Sequence, residues 1–456
     1  MVAAPVRRPR LHRDPVAIAA IAATTRWLPR VDTCNHGAVP TTSISTVRRW
    51  ALLAISLAST LCATVFINGI AFLIPALDAE RGISLAEAGL LSSMPSLGMV
   101  VTLIAWGYLL DLVGERVVLT VGLALTAAAV FAAASVHGLV AVGTFLFLGG
   151  MAAASANTAS GRLVTGWFPP DQRGLAMGIR QTAQPLGIAL AALVLPELGE
   201  RDFSVALVFP ATVCAASALV SAVGVLDPPR KKRATADVAE LANPYRGTAV
   251  LWRIHLASAL LMVPQTVVLT FMLVWLMRAH GWSTASAGVL VSVSQLLGAL
   301  GRIAAGRWSD RVGSRMRPIR VIAVTASVVM MLLALTDHLH WPLAVAVMLA
   351  ASVITVLDNG LAFTAIPEVA GPYWSGRAMG AQNTTQRLTA GAGPPVFGEL
   401  IDATGYPVAF AVCALFPLLA LPVVPVRARP HQADAAAARP GRPAHRVSYR
   451  FVRRRL

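Results

Sequence analysis

Five charged side chains stand out inside stretches of sequence that are otherwise apolar: Arg162, Arg180, Arg302, Arg387 and Asp358. The same stretches hold the amides Asn68, Asn157, Gln181, Gln184, Gln265, Gln295, Asn359, Gln382, Asn383 and Gln386. In hydrocarbon such groups are costly, so they face a protein interior or a wet cavity. Four guanidinium groups against one carboxylate leave that interior positive, and in a low dielectric this suits an anionic partner. A catalytic pattern is missing: there is no His-Glu-x-x-His, no Gly-x-Ser-x-Gly and no phosphate loop. His137, His280, His338 and His340 fall at the ends of apolar runs, where a solvated surface role is the default. The chemistry to expect is therefore reversible binding of a polar solute. No catalytic residue, metal ligand or cofactor is implied.

What must position these groups is a membrane. Of 456 residues, 56% are hydrophobic and 13% charged, about half the charge of an ordinary soluble domain; mean hydropathy is +0.67. One soluble core cannot hide so much apolar surface. The net charge of +17 would point to nucleic acid in a soluble chain, but the basic residues lie between and beyond the apolar runs, and no nucleic-acid module appears. The four cysteines show neither a disulfide framework nor metal spacing.

Twelve runs have roughly the 20-residue length that crosses a bilayer: 50–77, 86–110, 117–136, 139–167, 172–196, 203–226, 249–277, 285–308, 318–336, 341–367, 376–400 and 406–426. The predicted organisation is an all-α membrane protein with a disordered basic arm (1–49), a first six-helix bundle (50–226), a basic linker (227–248), a second bundle (249–426) and a basic tail (427–456). Arg48, Arg49, Arg116, Arg173, Arg230, Arg246, Arg311, Arg315, Arg317, Arg320 and Arg377 fall at alternate connections, together with both tails. The opposite connections hold Arg81, Arg201 and Arg278 among Asp78, Glu80, Glu197, Glu200, Asp202 and Asp337. The positive-inside bias then places both termini and the linker in the cytoplasm, and a multi-pass protein in the cytoplasmic membrane.

The chain repeats itself. Gly107-Tyr-Leu-Leu-Asp111-Leu-Val-Gly114-Glu-Arg116 returns as Gly306-Arg-Trp-Ser-Asp310-Arg311-Val-Gly313-Ser-Arg315, 199 residues further on (107 to 306). Arg173-Gly-Leu-Ala-Met-Gly178 returns as Ser375-Gly-Arg-Ala-Met-Gly380, 202 further on (173 to 375). Parallel repeats of several spans each are a common construction of secondary transporters. The Gly-x-x-x-Asp-(Arg)-x-Gly-x-Arg turns resemble the signature of the major facilitator superfamily, although Leu112 stands where the first copy should have Arg. Trp167-Phe-Pro-Pro-Asp-Gln-Arg-Gly174 is similar to a turn found in many members.

The resemblance implies two pseudo-symmetric six-helix bundles that rock about a central cavity, in a monomeric carrier. Runs 3, 6, 9 and 12 would face lipid, which agrees with the lack of amides or charges in Val117–Val136, Phe203–Leu226, Ile322–Leu335 and Val408–Val426. Depth sorts the polar groups: at about 1.5 Å per residue, Arg387 and Asp358 lie near mid-membrane, while Arg302, Arg162 and Arg180 are shallower. Expected at the substrate are Arg387, Asp358, Arg302, Asn157, Gln181, Asn359, Asn383, Gln386, Gln265 and Asn68. Arg387 has a second reading as the structural ion partner of Asp358, and Arg302 as a packing or gate residue. The resemblance further implies a cytoplasmic gate in which Asp111 meets the start of helix 11 and Asp310 the start of helix 5, with Arg116 and Arg315 paired to Asp171 and Glu368. Arg162 and Arg180 would cap that gate near Asp111 or Asp171, and Gly107, Gly114, Gly306, Arg311 and Gly313 complete it.

The favoured function is secondary transport of a small organic or inorganic anion, coupled to protons through Asp358. Arg302-Ile-Ala-Ala-Gly306 and the helix 4–5 region resemble the cyanate/nitrate/nitrite and monocarboxylate porters; the absence of Arg from helix 2 argues against nitrate itself. The alternative is a proton-linked drug exporter. Gly178-Ile-Arg-Gln-Thr-Ala-Gln-Pro185-Leu-Gly187 matches its helix 5 signature in part, and helix 1 lacks the acid those exporters often carry.

Overall fold

Hydrophobic runs of this length become helices because lipid offers no partner for a bare peptide group. The computed structural model describes residues 44–73, 85–229, 236 and 238–426. The expected basic tail, most of the N-terminal arm, the Arg230–Arg233 charge run and the charges Asp78, Glu80 and Arg81 lie outside these residues. The described chain has helices and no strand. In order they are α1 (Thr46–Gly69, continued by a 3-10 turn Ile70–Leu73), α2 (Leu85–Val113), α3 (Glu115–Ser135), α4 (Leu139–Trp167), α5 (Arg173–Arg180 and Ala183–Gly199), α6 (Phe203–Gly224), α7 (Val250–Arg278), α8 (Thr284–Val312), α9 (Met316–His338), α10 (Leu343–Ile354 and Asp358–Ala370), α11 (Ser375–Thr404) and α12 (Tyr406–Val423). Two short helices, Val238–Leu241 and Pro244–Gly247, lie between α6 and α7.

Local signals set the ends. Ser45 caps α1 by accepting the Arg48 N–H, which starts that helix at Thr46, ahead of the expected residue 50. Asp202 takes the N–H groups of Ser204 and Val205 to cap α6, and Gly313 closes α8 in the left-handed conformation at φ +63. Eleven of the described helices are long and apolar enough to span a membrane. The remaining long one is α11, which has 30 residues but carries Gln382, Asn383, Gln386 and Arg387. Its polar groups turn inward: Gln382, Asn383 and Gln386 are all buried. In contrast, α3, α6, α9 and α12 present rows of exposed aliphatic residues such as Val121, Val223, Val328 and Leu419.

The buried apolar residues fall into three clusters. One is drawn wholly from α1–α6 and the short stretch after α6, around Phe66, Leu119 and Phe203. Another is drawn wholly from α7–α12, around Trp275, Met330 and Phe410. The third is shared: Leu53, Val164, Phe168 and Met177 of the first half pack with Leu251, Ile254, Ile366 and Met379 of the second. It lies at the end of the bundle that carries the repeated Gly-Asp turns, and there the two halves are fused.

Candidate functional site

The repeated turns build that fusion. Asp111, at the end of α2, accepts the N–H of Gly376 at 2.8 Å and that of Arg377 at 3.1 Å, and the Arg377 Nε at 2.9 Å. Asp310, at the end of α8, accepts the N–H groups of Gly174 at 2.9 Å and Leu175 at 2.8 Å. Each acid thus reaches into the other half and caps the first turn of α11 or α5, whose N–H groups lack helical partners and sit at the positive end of the helix dipole. The glycines permit the approach. A Cβ on Gly107 would strike the Gly376 carbonyl, and one on Gly306 would strike that of Gly174.

The cations around the acids follow the expected plan only in part. Arg315 bridges Asp310 and Glu368 and donates to the Pro170 carbonyl at 2.6 Å; burial opposes its charge, but Glu368 and Asp310 outweigh that and lift the guanidinium above its ordinary pKa. Arg162 binds Asp111 at 3.1 Å and also Glu115 at 2.9 Å, a fully buried acid absent from the expected gate. The Arg116–Asp171 pair does not form. Gly114, at φ +96, turns the start of α3 toward the end of α6, so the Arg116 N–H donates to Asp227 and its Nε to the Ala222 carbonyl. Asp171 and Arg311 are exposed. Arg180 does not meet the acids either; its guanidinium donates into the first half, to Ser160 Oγ and the Asn157 carbonyl.

Three of the expected substrate residues, Gln265, Arg302 and Asp358, line two small voids between helices of the second half; Arg387, Asn68, Asn157, Gln181, Asn359, Asn383 and Gln386 line neither. One is lined by Gln265, Gln295, Arg302, Ser352 and Val356; the other by Ser258, Asp358 and apolar neighbours including Leu261 and Ile319. The cation and the acid are electrostatic neighbours that open onto different voids. Helix α10 is interrupted at Thr355–Leu357, so Asp358 begins its second segment. Arg302 reaches the Gln181 carbonyl at 3.5 Å and its Nε has no partner. Arg387 is half-buried and makes neither hydrogen bond nor ion pair among the described residues; the Arg387–Asp358 pair is absent there.

The internal repeat is not kept at the amides. Gln181 accepts from Arg180 and, through its carbonyl, from Arg302, while its counterpart Asn383 bonds back to the Met379 carbonyl. Asn157 donates to Met99 Sδ, while Asn359 donates to Gln265. Asn68, near the far end of α1, holds a buried NH2 without a partner among the described residues. A hydrogen-bonded run joins the amide Gln382 to three residues that were not singled out: Tyr245 to His255 Nε2 at 3.0 Å, His255 Nδ1 to Gln382 at 2.7 Å, and Gln382 to Ser258. His255 is buried in α7, and the rule that flags ionisable groups inside apolar runs applies to it. Burial pushes the Tyr245 phenol up to about 12. His280 also departs from a solvated role, meeting Trp275 edge-on with ring centroids 4.2 Å apart and planes 65° apart.

The sequence profile of the Major Facilitator Superfamily matches residues 56–394. The chain belongs to that superfamily of membrane transporters. An uncharacterized MFS-type transporter of Mycobacterium tuberculosis (strain ATCC 25618 / H37Rv) is 63% identical over 398 residues, covering 87% of this chain and 89% of that protein. The probable sulfoacetate transporter SauU of Cupriavidus necator is 24% identical over 354 residues, 73% of this chain and 82% of that protein. The crystal structure of the E. coli fucose:proton symporter FucP superposes with a TM-score of 0.66 at 17% identity, over 83% of this chain and 98% of that one. The facilitator fold of two helical bundles, expected from the repeats, is the one observed. The chain is a multi-pass membrane transporter.

Proposed function

We propose that this facilitator carries a small organic anion across the cytoplasmic membrane by alternating access, as a monomer coupled to protons. The observation that carries the reading is the set of deep cations: Arg180, Arg302 and Arg387 bind no carboxylate among the described residues, and one buried acid, Asp358, lies near Arg302. Cations buried without a bound carboxylate, as Arg180 and Arg302 are, are costly, and an anionic solute entering between the halves offsets that cost. In this reading Arg302, Arg387, Gln265, Gln386, Asn359, Asn383, Gln181, Asn157 and Asn68 surround the path, and Asp358 carries the proton. The Asp111 and Asp310 turns form the cytoplasmic gate, with both termini on that side, as the basic connections favour. The resemblance to a protein named as a probable sulfoacetate transporter supports a carboxylate or sulfonate cargo.

Counterflow into proteoliposomes tests this, with sulfoacetate and small mono- and dicarboxylates at pH 5.5 and 7.5 (about two units apart, a range over which buried carboxylates can titrate). Accumulation of one of these anions, faster when a proton gradient is imposed, is the expected result. Accumulation of cationic or neutral hydrophobic compounds alone would replace this reading with a drug exporter.

A further inference from the structure

Hydrogen-bond direction in the second half converges on one hydroxyl. The Gln382 Oε1 can only accept, so His255 must carry its proton on Nδ1, and the bare Nε2 accepts from the Tyr245 hydroxyl. The raised Tyr245 pKa keeps that phenol protonated. Gln382 then turns its NH2 to Ser258 Oγ, and Gln386 donates to the same oxygen at 3.0 Å. The second N–H of Gln386 goes to Asn359 Oδ1 at 2.9 Å. Asn359 in turn donates to Gln265 Oε1 at 2.9 Å.

Every amide in this run is thereby oriented. The Gln265 carbonyl is occupied by Asn359, and its NH2 is left to the void that it lines with Arg302. Arg302 lines the same void, and its Nε is buried without a partner. Two residues from different helices that line one small space, Gln265 and Arg302, thus each have N–H donors not taken up by the run. A ligand group made only of acceptors, a carboxylate or sulfonate oxygen, matches them; an amide NH2 or an ammonium does not.

We infer that Ser258 is a positioning residue: by accepting from Gln382 and Gln386 together, it holds Gln265 with its N–H groups toward an oxyanion beside Arg302. Ser258 does not line that void. It lies on the neighbouring one, with Asp358, so its effect on the ligand runs through Gln386, Asn359 and Gln265. With the hydroxyl gone, Gln386 has no acceptor on that side and is free to turn, and Gln265 can then offer its carbonyl to the anion.

This deepens the anion-carrier reading and rests on it. The test compares wild type, Ser258→Ala and Ser258→Thr in the full-length protein, using calorimetric binding of sulfoacetate, methanesulfonate and acetate, followed by transport of whichever of them binds. Expected is an apparent affinity lower by about tenfold in Ser258→Ala, as for an outer residue that orients a ligand group, with maximal rate within about twofold and with Thr restoring affinity. Equal affinity in wild type and Ser258→Ala overturns the inference, as does a loss that Thr fails to restore. Failure of wild type to bind any of the three overturns it too. In that last case, counterflow of another anion would leave the carrier reading intact, and counterflow of none would remove both.

Discussion

Asp310 and Gly174 belong to opposite halves of the bundle, yet the Gly174 N–H donates to the Asp310 carboxylate at 2.9 Å. The contact is possible because Gly174 and Gly306 bring α5 and α8 together at backbone distance. Asp111 and Gly376 repeat the arrangement between α2 and α11. Each acid holds two backbone N–H groups of the opposing half, and hydrogen bonds to a charged acceptor are worth about 1.5–3 kcal/mol. These bonds exist only while this end is closed. Asp310→Asn and Asp111→Asn are therefore expected to shift the rocking equilibrium by about tenfold or more. Transport should fall with little loss of folded protein, and a spin-label pair across this end should report the opened state. Unchanged uptake in both variants would dismiss the latch.

Size at the crossing gives a prediction independent of charge. Gly306→Val places a branched Cβ where the Gly174 carbonyl lies, and no rotamer relieves a clash with backbone. Gly313→Ala lies in open space but at φ +63, which costs a residue with a Cβ roughly 1–2 kcal/mol. The first should abolish transport while the protein still extracts as a monodisperse species. The second should lower the melting temperature by a few degrees at most and retain most of the transport.

The fold was legible because lipid imposes one rule on every span, and because the repeated turns betray the duplication. Asp111, Asp310, Arg315 and Glu368 were readable from the motif, since its geometry depends on backbone N–H groups that any sequence supplies. Arg116 was not: its partner is chosen by the turn at Gly114, which swings α3 toward Asp227. Glu115 was hidden by its place beside a basic residue at a span end, where an acid reads as solvated. The division of Asp358 and Arg302 between two voids depends on the break in α10 at Thr355–Leu357, and no proline or glycine in those three residues announces it.

Buried Glu115 and Asp111 share Arg162. Removing the cation leaves two carboxylates with their shared partner gone, and breaking a buried pair in that way costs about 3–5 kcal/mol. Arg162→Leu should therefore unfold or fail to accumulate, whereas Glu115→Gln, which leaves Arg162 to Asp111, should express and melt within several degrees of wild type. Thermal unfolding in detergent separates the two. Similar midpoints for both variants would mean that Arg162 contributes little here.

Tyr245 ties the segment between the halves to α7 through His255. Its phenol is raised from about 10 to about 12, chiefly by burial. For a group with a raised folded pKa, the stabilisation is complete below the unfolded value and is lost as pH climbs through the folded one. While His255 is neutral, the docking of this segment should thus hold up to about pH 10 and weaken between about 10 and 12. Ultraviolet titration of wild type minus Tyr245→Phe should show one tyrosine ionising near 12; ionisation near 10 would place that ring in water.

Separate voids for Asp358 and Arg302 predict separable losses. Counterflow exchanges substrate for substrate and needs no net proton movement, whereas uphill accumulation needs the coupling group to load and release a proton. If Asp358 carries the proton and Arg302 meets the anion, Asp358→Asn should retain counterflow within a few-fold of wild type and lose accumulation driven by a pH gradient. Arg302→Leu should lose both. Arg302→Lys keeps the charge but not the fork of donors, and should weaken affinity by about tenfold while leaving coupling in place. If Asp358→Asn abolishes counterflow together with accumulation, the acid belongs to the substrate's own site, and one cavity serves both ions.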